Sequence, residues 1–278
     1  AILDNSSVKC WGGNASGQLG LGDPTKRESV SQLGDNLPVV DLGAGRTARG
    51  ITAGDSHTCA LLDNSSIKCW GYNFSGQLGQ GLLDTDTRGD ESGEMGDSLT
   101  AINLGSGRTA KSVTTGSKHS CALLDDHSVK CWGEGENGQT GQEKTSDDGV
   151  PPTLSITIGT NRTATAITAG DAHTCAILDN SAIKCWGLND SGQLGQGNTI
   201  NLGDNANEIN PSSKIVDLGA GRTVGGIAAG DDYTCAVLDN ASIKCWGGNA
   251  FGQLGLGDDS TRGDESGEMG DSLPVIGL

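Results

Sequence analysis

Aromatic side chains make up only 3% of this 278-residue chain, and there are only six prolines and two methionines. No apolar run approaches the roughly 20 residues that a membrane-crossing helix needs, so the sequence predicts no membrane insertion. No stretch repeats its apolar residues every three to four positions over ten or more residues, so long amphipathic helices are not expected. Positive charge is also scarce: Lys and Arg number 18 against 35 Asp and Glu, a formal net charge of −17. Phosphate-backbone binding calls for a surplus of Lys and Arg on at least one face. The composition therefore speaks against nucleic acid and anionic lipid, and favours a basic partner.

What is abundant is glycine, with 46 residues, alongside Ser, Asn and Asp. Such a chain suits short strands joined by turns. Its organisation comes from repetition. Cys-Trp-Gly begins at Cys10, Cys69, Cys131, Cys185 and Cys245. Each copy after the first is preceded by an apolar approach ending in Gly, as in "GITAG" at 50–54, and then by a phrase such as "HTCALLDNSSIKCWG", whereas the first opens at Ala1 with "AILDNSSVKCWG". A glycine-rich stretch follows, "NFSGQLGQG" at 73–81, then a linker of variable length and a run such as "PVVDLGAGRTA" at 38–48. Internal repeats of this length point to a propeller or solenoid. "ITAG", "TCALL", "IKCWG" and "VVDLG" each read as a strand, and four strands per repeat predict an all-β, β-propeller fold. The repeat cores lie near 1–22, 50–81, 112–142, 166–197 and 226–257 of a single propeller over 1–278.

A three-residue hairpin loop at Asp63-Asn64-Ser65 sets Leu61 opposite Ile67 and Cys59 opposite Cys69. Cys59, Leu61, Ile67 and Cys69 then share one sheet face, and Ala60, Leu62 and Trp70 the other. Directly opposed residues stand within disulfide range. Cys59/Cys69, Cys121/Cys131, Cys175/Cys185 and Cys235/Cys245 thus read as one cross-strand disulfide per repeat, leaving Cys10 unpaired. Reduced, buried thiols are the alternative. Zinc fits less well, because no closely spaced Cys pair is present. Disulfides predict a secreted or secretory-lumen protein. Seven Asn-x-Ser/Thr triplets, at Asn5, Asn14, Asn64, Asn73, Asn161, Asn189 and Asn240, point the same way, several of them in turns with room for a glycan.

"AGDSHTCALLDNSSIKCWGYNFSGQLGQG" at 53–81 resembles the repeat of the regulator of chromosome condensation family, with its Gly-x-x-His, Ala-Leu, Trp-Gly and Asn-x-x-Gly-Gln-Leu-Gly phrases. The match recurs at 115–142, 169–197 and 229–257, and in part at 1–22, with the paired cysteines resembling secreted-type members. The resemblance implies a propeller, most often of seven blades. The five repeats here are therefore expected to form an incomplete ring or a piece of a larger propeller. Family members that sense ultraviolet-B light use tryptophan in a Gly-Trp-Arg-His-Thr phrase. The matching slots here hold Asp55-Ser56, Ser117-Lys118, Asp171-Ala172 and Asp231-Asp232, none of them Trp.

Catalytic and cofactor readings find little support, and no enzyme activity is expected of the chain. His57, His119 and His173 occupy one repeated slot, filled by Tyr233 in the last repeat, which reads as structural hydrogen bonding. "GAGRTA" at 43–48 lacks the strand-to-helix setting of a dinucleotide loop. The Trp residues, all in Cys-Trp-Gly, read as packing between blades, and the Lys before each cysteine as a stem along the sheet with its ammonium in water. "TRGDESGEMGDSL", identical at 87–99 and 261–273, reads as a solvated acidic loop in which weak calcium binding is not favoured. No cofactor is expected. The expectation is a non-enzymatic scaffold for a protein or basic peptide. It would bind through the variable positions after each blade-start Gly: Asp55, Ser56, Lys118, Asp171, Asp231 and Asp232. The linkers at 82–99, 142–153 and 197–213 would supply a second set of loops. The alternative is a regulatory module of a larger multidomain protein, like an exchange factor or fused to an enzyme domain.

Overall fold

The computed structural model describes every residue except 82–85, 148, 150–154, 210–214 and 278. It holds four three-stranded antiparallel sheets, each built from consecutive strands. They are β1 (Ala48–Ala53), β2 (His57–Leu62) and β3 (Ile67–Gly71); β4 (Ala110–Thr115), β5 (His119–Leu124) and β6 (Val129–Gly133); β7 (Ala164–Ala169), β8 (His173–Leu178) and β9 (Ile183–Gly187); and β10 (Val224–Ala229), β11 (Tyr233–Leu238) and β12 (Ile243–Gly247). Helix is confined, among the described residues, to four three-residue 3₁₀ turns. The first repeat is a hairpin joined by an Ile2–Val8 bridge.

The hairpin register follows from its turn. Ser65 takes φ +63°, and the Leu62 amide bonds the Ser66 carbonyl at 2.9 Å. Leu61 is thereby set against Ile67 and Cys59 against Cys69. The Cys59–Cys69, Cys175–Cys185 and Cys235–Cys245 disulfides span Cα separations of 4.1, 4.1 and 4.0 Å, and Cys121 and Cys131 are disulfide-bonded too. Closing a loop this short restricts the unfolded chain by about 2–3 kcal/mol per bridge. Cys10 carries a free thiol, which its half-buried setting pushes up in pKa.

The chain divides into two compact units. The first is Ala1–Asp126 with Trp132–Glu134 and Asp147–Thr153; the second is His127–Cys131, Gly135–Ser146 and Leu154–Leu278. In the first unit β2 and β3 are buried on both faces, as the apolar residues on both sides of the strands require, while β1 is only partly buried. Cys59, Leu61, Ile67 and Cys69 pack with Ile102, Leu124 and Trp132, whereas Ala60, Leu62 and Trp70 pack with Val8, Val40 and Leu42. In the second unit Cys175, Ile177, Ile183 and Cys185 meet Val216, Leu238 and Trp246 in the same way.

The fourth run of each repeat is not a strand. Val40, Ile102, Ile156, Val216 and Ile276 each give one amide to the hairpin, to the carbonyls of Val8, Ile67, Val129, Ile183 and Ile243, at 2.8–3.0 Å. Neighbouring backbone groups are engaged elsewhere. The Asp41 carbonyl accepts from the Gly96 amide, and the Asp41 carboxylate from Gly43. The Leu42 carbonyl accepts from Lys68. With those groups committed, no ladder can propagate.

Candidate interaction surface

The framework of each repeat is a set of joints built from its recurring residues. Leu19, Leu78, Leu194 and Leu254 each donate an amide to the side-chain oxygen of Asn14, Asn73, Asn189 and Asn249 at 2.9 Å. This Asn closes the Gly-Gln-Leu-Gly turn and aims the Gln carbonyl at the next repeat. In the first unit the Gln18 carbonyl accepts from Trp70 Nε1 (3.0 Å) and Thr58 Oγ1 (2.8 Å), and the Gln77 carbonyl from Trp132 Nε1 (3.0 Å) and Ser120 Oγ (2.9 Å). In the second, Gln139 serves Trp186 and Thr174, and Gln193 serves Trp246 and Thr234, at 3.0–3.1 Å. Trp70, Trp132, Trp186 and Trp246 are wholly buried. Each indole thus fills the core and finds a partner for its only donor. The tryptophan packing is legible in the sequence; the Gln carbonyl that anchors it is not. Its one trace is the Thr or Ser that precedes each first cysteine.

Two expectations about polar residues are corrected. The lysines before the second cysteines do not reach water: Lys68, Lys130, Lys184 and Lys244 are all buried. Lys68 Nζ donates to the Leu42 and Gly96 carbonyls at 3.0 and 2.7 Å, and Lys244 Nζ to Leu218 and Gly270 at the same distances. Burial pulls the Lys68 ammonium down, against the opposing pull of Asp97 and Asp41, and takes Lys184 to about 8. The carbonyls of the irregular fourth run and linker draw the ammonium inward, because each needs a donor. Second, Asn14, Asn73 and Asn189 have no room for a glycan. They are at most 1% exposed, and the amide nitrogens of Asn14 and Asn189 donate to linker carbonyls.

The blade-start loop sits on this framework. In "GDSH" at 54–57 the Gly54 amide bonds the His57 carbonyl at 2.9 Å. A Cβ at Gly54 would lie 2.6 Å from the His57 ring, so glycine is needed for close approach. His57 Nε2 pairs with Ser120 Oγ, and His173 Nε2 with Thr234 Oγ1, both at 2.9 Å. Both rings are fully buried, and burial lowers each pKa to about 4. These histidines are neutral joints, as their repetition implies.

The candidate partner residues lie on the solvent side of these joints. In the first unit Asp55 is exposed and accepts from Ser117 Oγ at 2.6 Å. The neighbouring Lys118 is exposed and pairs with Glu134 at 3.2 Å. Ser56 is half-buried, and its carbonyl receives the Tyr72 amide at 2.8 Å. In the second unit exposed Asp171 and Asp231 are tied by a backbone bond of 2.9 Å. Asp232, half-buried, accepts from Gln253 Nε2 at 3.4 Å. The sequence reading missed the aromatics beside this surface. Tyr72 stacks on Phe74 with ring centroids 5.0 Å apart, and Phe74 and Phe251 are 63% and 95% exposed. Every Phe of the chain is therefore presented to solvent on a loop after Trp-Gly. The signal lay in their isolation from the apolar runs.

The acidic linkers are ordered by their own side chains. Glu94 accepts the Gly89 and Glu91 amides, and Glu268 those of Gly263 and Glu265, at 2.8–3.1 Å. Residues 82–85, 148, 150–153 and 210–213 of the linkers lie outside the described residues. Among the described residues no group of three or more His, Cys, Asp or Glu is arranged to hold a metal ion.

Known proteins share this repeat. Two family models described as regulator of chromosome condensation (RCC1) repeat match, one at 48–77, 110–139, 164–193 and 226–253, the other at 7–61, 126–177 and 185–237. The ultraviolet-B receptor UVR8 of Arabidopsis thaliana is 32% identical over 76% of this chain and 44% of its own length. The human E3 ubiquitin-protein ligase HERC2 is 28% identical over 92% of this chain and 5% of its own length. Among solved structures, human WBSCR16 superposes with a TM-score of 0.72 at 16% identity, covering 96% of this chain and 62% of that one. Yeast RCC1 (Prp20), in complex with Kap60, gives 0.69 at 21% identity, covering 93% and 56%. The chain thus spans less than half the length of the curated relatives it is compared with here. With the repeat models covering more than half of its residues, and with paired cysteines and sheets of one recurring form, the chain belongs to the regulator of chromosome condensation repeat family of β-propellers.

Proposed function

We propose that the chain is a non-enzymatic binding scaffold for a basic segment of a protein partner, engaged through the blade-start loops. The observation that carries this reading is a division of labour within the repeat. The recurring Gly, His, Gln, Trp, Asn and Lys are consumed in joints. Of the two positions after each blade-start Gly, the first is Asp in three repeats and Ser117 in the other, and the second differs in all four (Ser56, Lys118, Ala172 and Asp232); Asp55, Lys118, Asp171 and Asp231 are exposed on that rigid base. Variation presented on a fixed scaffold is where binding specificity resides. Three of the four are carboxylates in a chain of net charge −17, and the stacked Tyr72–Phe74 pair supplies apolar anchor area. A relative supports protein binding as the mode: yeast RCC1 is seen bound by Kap60. Selection of the chain against a random peptide library should enrich Lys- and Arg-rich ligands. Asp55→Asn in one unit and Asp171→Asn with Asp231→Asn in the other should weaken them and flatten the salt dependence. Ligands without basic character, or affinity indifferent to these substitutions, would refute the reading.

A second reading, a regulatory module within a longer multidomain protein, draws on relatives such as HERC2, of which this chain spans 5%. The full coding sequence decides it. The disulfides favour an oxidising compartment and hence secretion, which thiol counting on the protein from its native source would test.

A further inference from the structure

We infer that the hairpin tips at Asn5, Asn64 and Asn240 are acceptor sites for N-linked glycans, an inference that rests on the secretory compartment proposed above. The seven Asn-x-Ser/Thr triplets fall into two sets. Asn14, Asn73 and Asn189 are buried turn-closing residues, as described. Asn5, Asn64, Asn161 and Asn240 are exposed.

Three of the exposed asparagines share one geometry. Each opens a hairpin turn whose next residue is left-handed: Ser6 at φ +62°, Ser65 at +63° and Ala241 at +65°. Each side-chain oxygen accepts twice from the residue two positions on. The amides of Ser7, Ser66 and Ser242 donate at 3.0, 3.1 and 3.1 Å, and their hydroxyls at 2.7 Å in all three. The oxygen and the hydroxyl that the acceptor motif requires are thus held together. The carboxamide is fixed by its oxygen, in a residue that is exposed. The chain contains its own negative control. Asn180 occupies the same turn with Ser181 at φ +61°, but its partner is the Ala182 amide at 3.4 Å, and no hydroxyl is present.

The modification joins the asparagine Nδ2 to the anomeric carbon of a diphosphate-activated sugar. The C–O bond to the diphosphate breaks, the diphosphate leaves with the electron pair, and Nδ2 gives up one proton. The placement has a consequence for binding. β2 runs from His57 at the blade-start loop to Leu62 at the tip, five steps or about 17 Å at 3.3 Å per residue. A glycan on Asn64 therefore projects from the end of the blade away from Asp55, and leaves the proposed partner surface of that blade uncovered.

The test uses the intact, disulfide-bonded chain, a soluble N-glycosyltransferase and UDP-glucose, with sites mapped by peptide mass spectrometry. Asn5, Asn64 and Asn240 should gain one hexose each. Asn14, Asn73 and Asn189 should stay unmodified until the chain is reduced and unfolded. Ser66→Ala and Ser242→Ala should each abolish only their own site, and Ala182→Ser should create one at Asn180. Asn64 and Asn240 left bare in the folded chain, yet modified after unfolding, would overturn the inference, as would modification of the buried set in the folded chain. The enzyme acts independently of compartment, so these outcomes judge the sites alone. Nine free thiols in the protein from its native source would instead refute secretion.

Discussion

Acidification should destabilise this protein between pH 7.5 and 5.5, although its surface charge argues for the opposite. His57 and His173 are fully buried, with pKa values depressed by burial to about 4 from an ordinary 6.5. As pH falls through 6.5 the unfolded chain takes up protons at both residues, while the folded chain does not. The unfolded state then binds more protons, so stability is full above 6.5 and is lost progressively toward 4. At pH 5.5 the loss is about 1.4 kcal/mol per histidine, or about 3 kcal/mol for the pair, and the steepest slope approaches about 2.7 kcal/mol per pH unit. Relief of self-repulsion among the 35 Asp and Glu would act with the other sign as carboxylates protonate.

Urea unfolding followed by tryptophan fluorescence reads this directly, because four of the five Trp are buried. The control is contained in the sequence. Tyr233 fills the histidine slot of the last repeat and lies against Gly230 as His57 lies against Gly54. A His57→Tyr, His173→Tyr double variant should therefore lose about 3 kcal/mol less than the wild type over the same window, whatever its absolute stability, with the buried His119 common to both chains. A wild-type profile that is flat or rises toward pH 5.5, or a slope undiminished in the double variant, would refute the assignment of these rings as neutral joints.

Lys244→Met should cost about 2–4 kcal/mol, because the Leu218 and Gly270 carbonyls lose a charged donor while the stem volume is kept; chemical denaturation measures it. Trp186→Phe removes the Nε1 bond to the Gln139 carbonyl and leaves a void, for about 2–3 kcal/mol by the same assay. Gly170→Ala forces a Cβ against the His173 ring and should lower stability by about 2 kcal/mol, with local loss of hydrogen-exchange protection in β8. Reducing Cys175–Cys185 alone, by a Cys→Ser pair, should cost about 2–3 kcal/mol without changing the strand register.

The hairpins were legible because their constraints are local. Ten residues separate Cys59 from Cys69, and a three-residue turn admits one register, from which both faces of the sheet follow. The fourth strand was misread because an apolar β-branched run such as "VVDLG" says nothing about where its carbonyls go. That depended on Lys68, 26 residues away in sequence. Lysine itself was misread for the complementary reason. Its regular place beside each cysteine fits a stem along the sheet, and only the spatial neighbourhood reveals carbonyls in need of a donor. The triplets at Asn14 and Asn64 look alike as text. One closes a buried turn and the other caps an exposed hairpin, a difference set by the strand that precedes each.

The same contrast bears on where specificity can evolve in such a chain. The backbone carbonyl of Gln serves an indole and a hydroxyl together, so loss of the Trp N–H or of the Thr or Ser hydroxyl takes a hydrogen bond from a buried group. The glycine under each His or Tyr ring is equally fixed, since a side chain there meets the ring. The Asp-Ser of 55–56 and the Ser-Lys of 117–118 sit one and two positions further along, tied to the framework through backbone groups such as the Ser56 carbonyl, with Asp55 and Lys118 exposed. Asp55 and Ser117 even bond each other across neighbouring repeats. Substitutions there change the charge and shape offered to a partner while leaving the stacking intact. A chain built from copies of one phrase can therefore change what it exposes at these loops and at the linkers while every joint is kept.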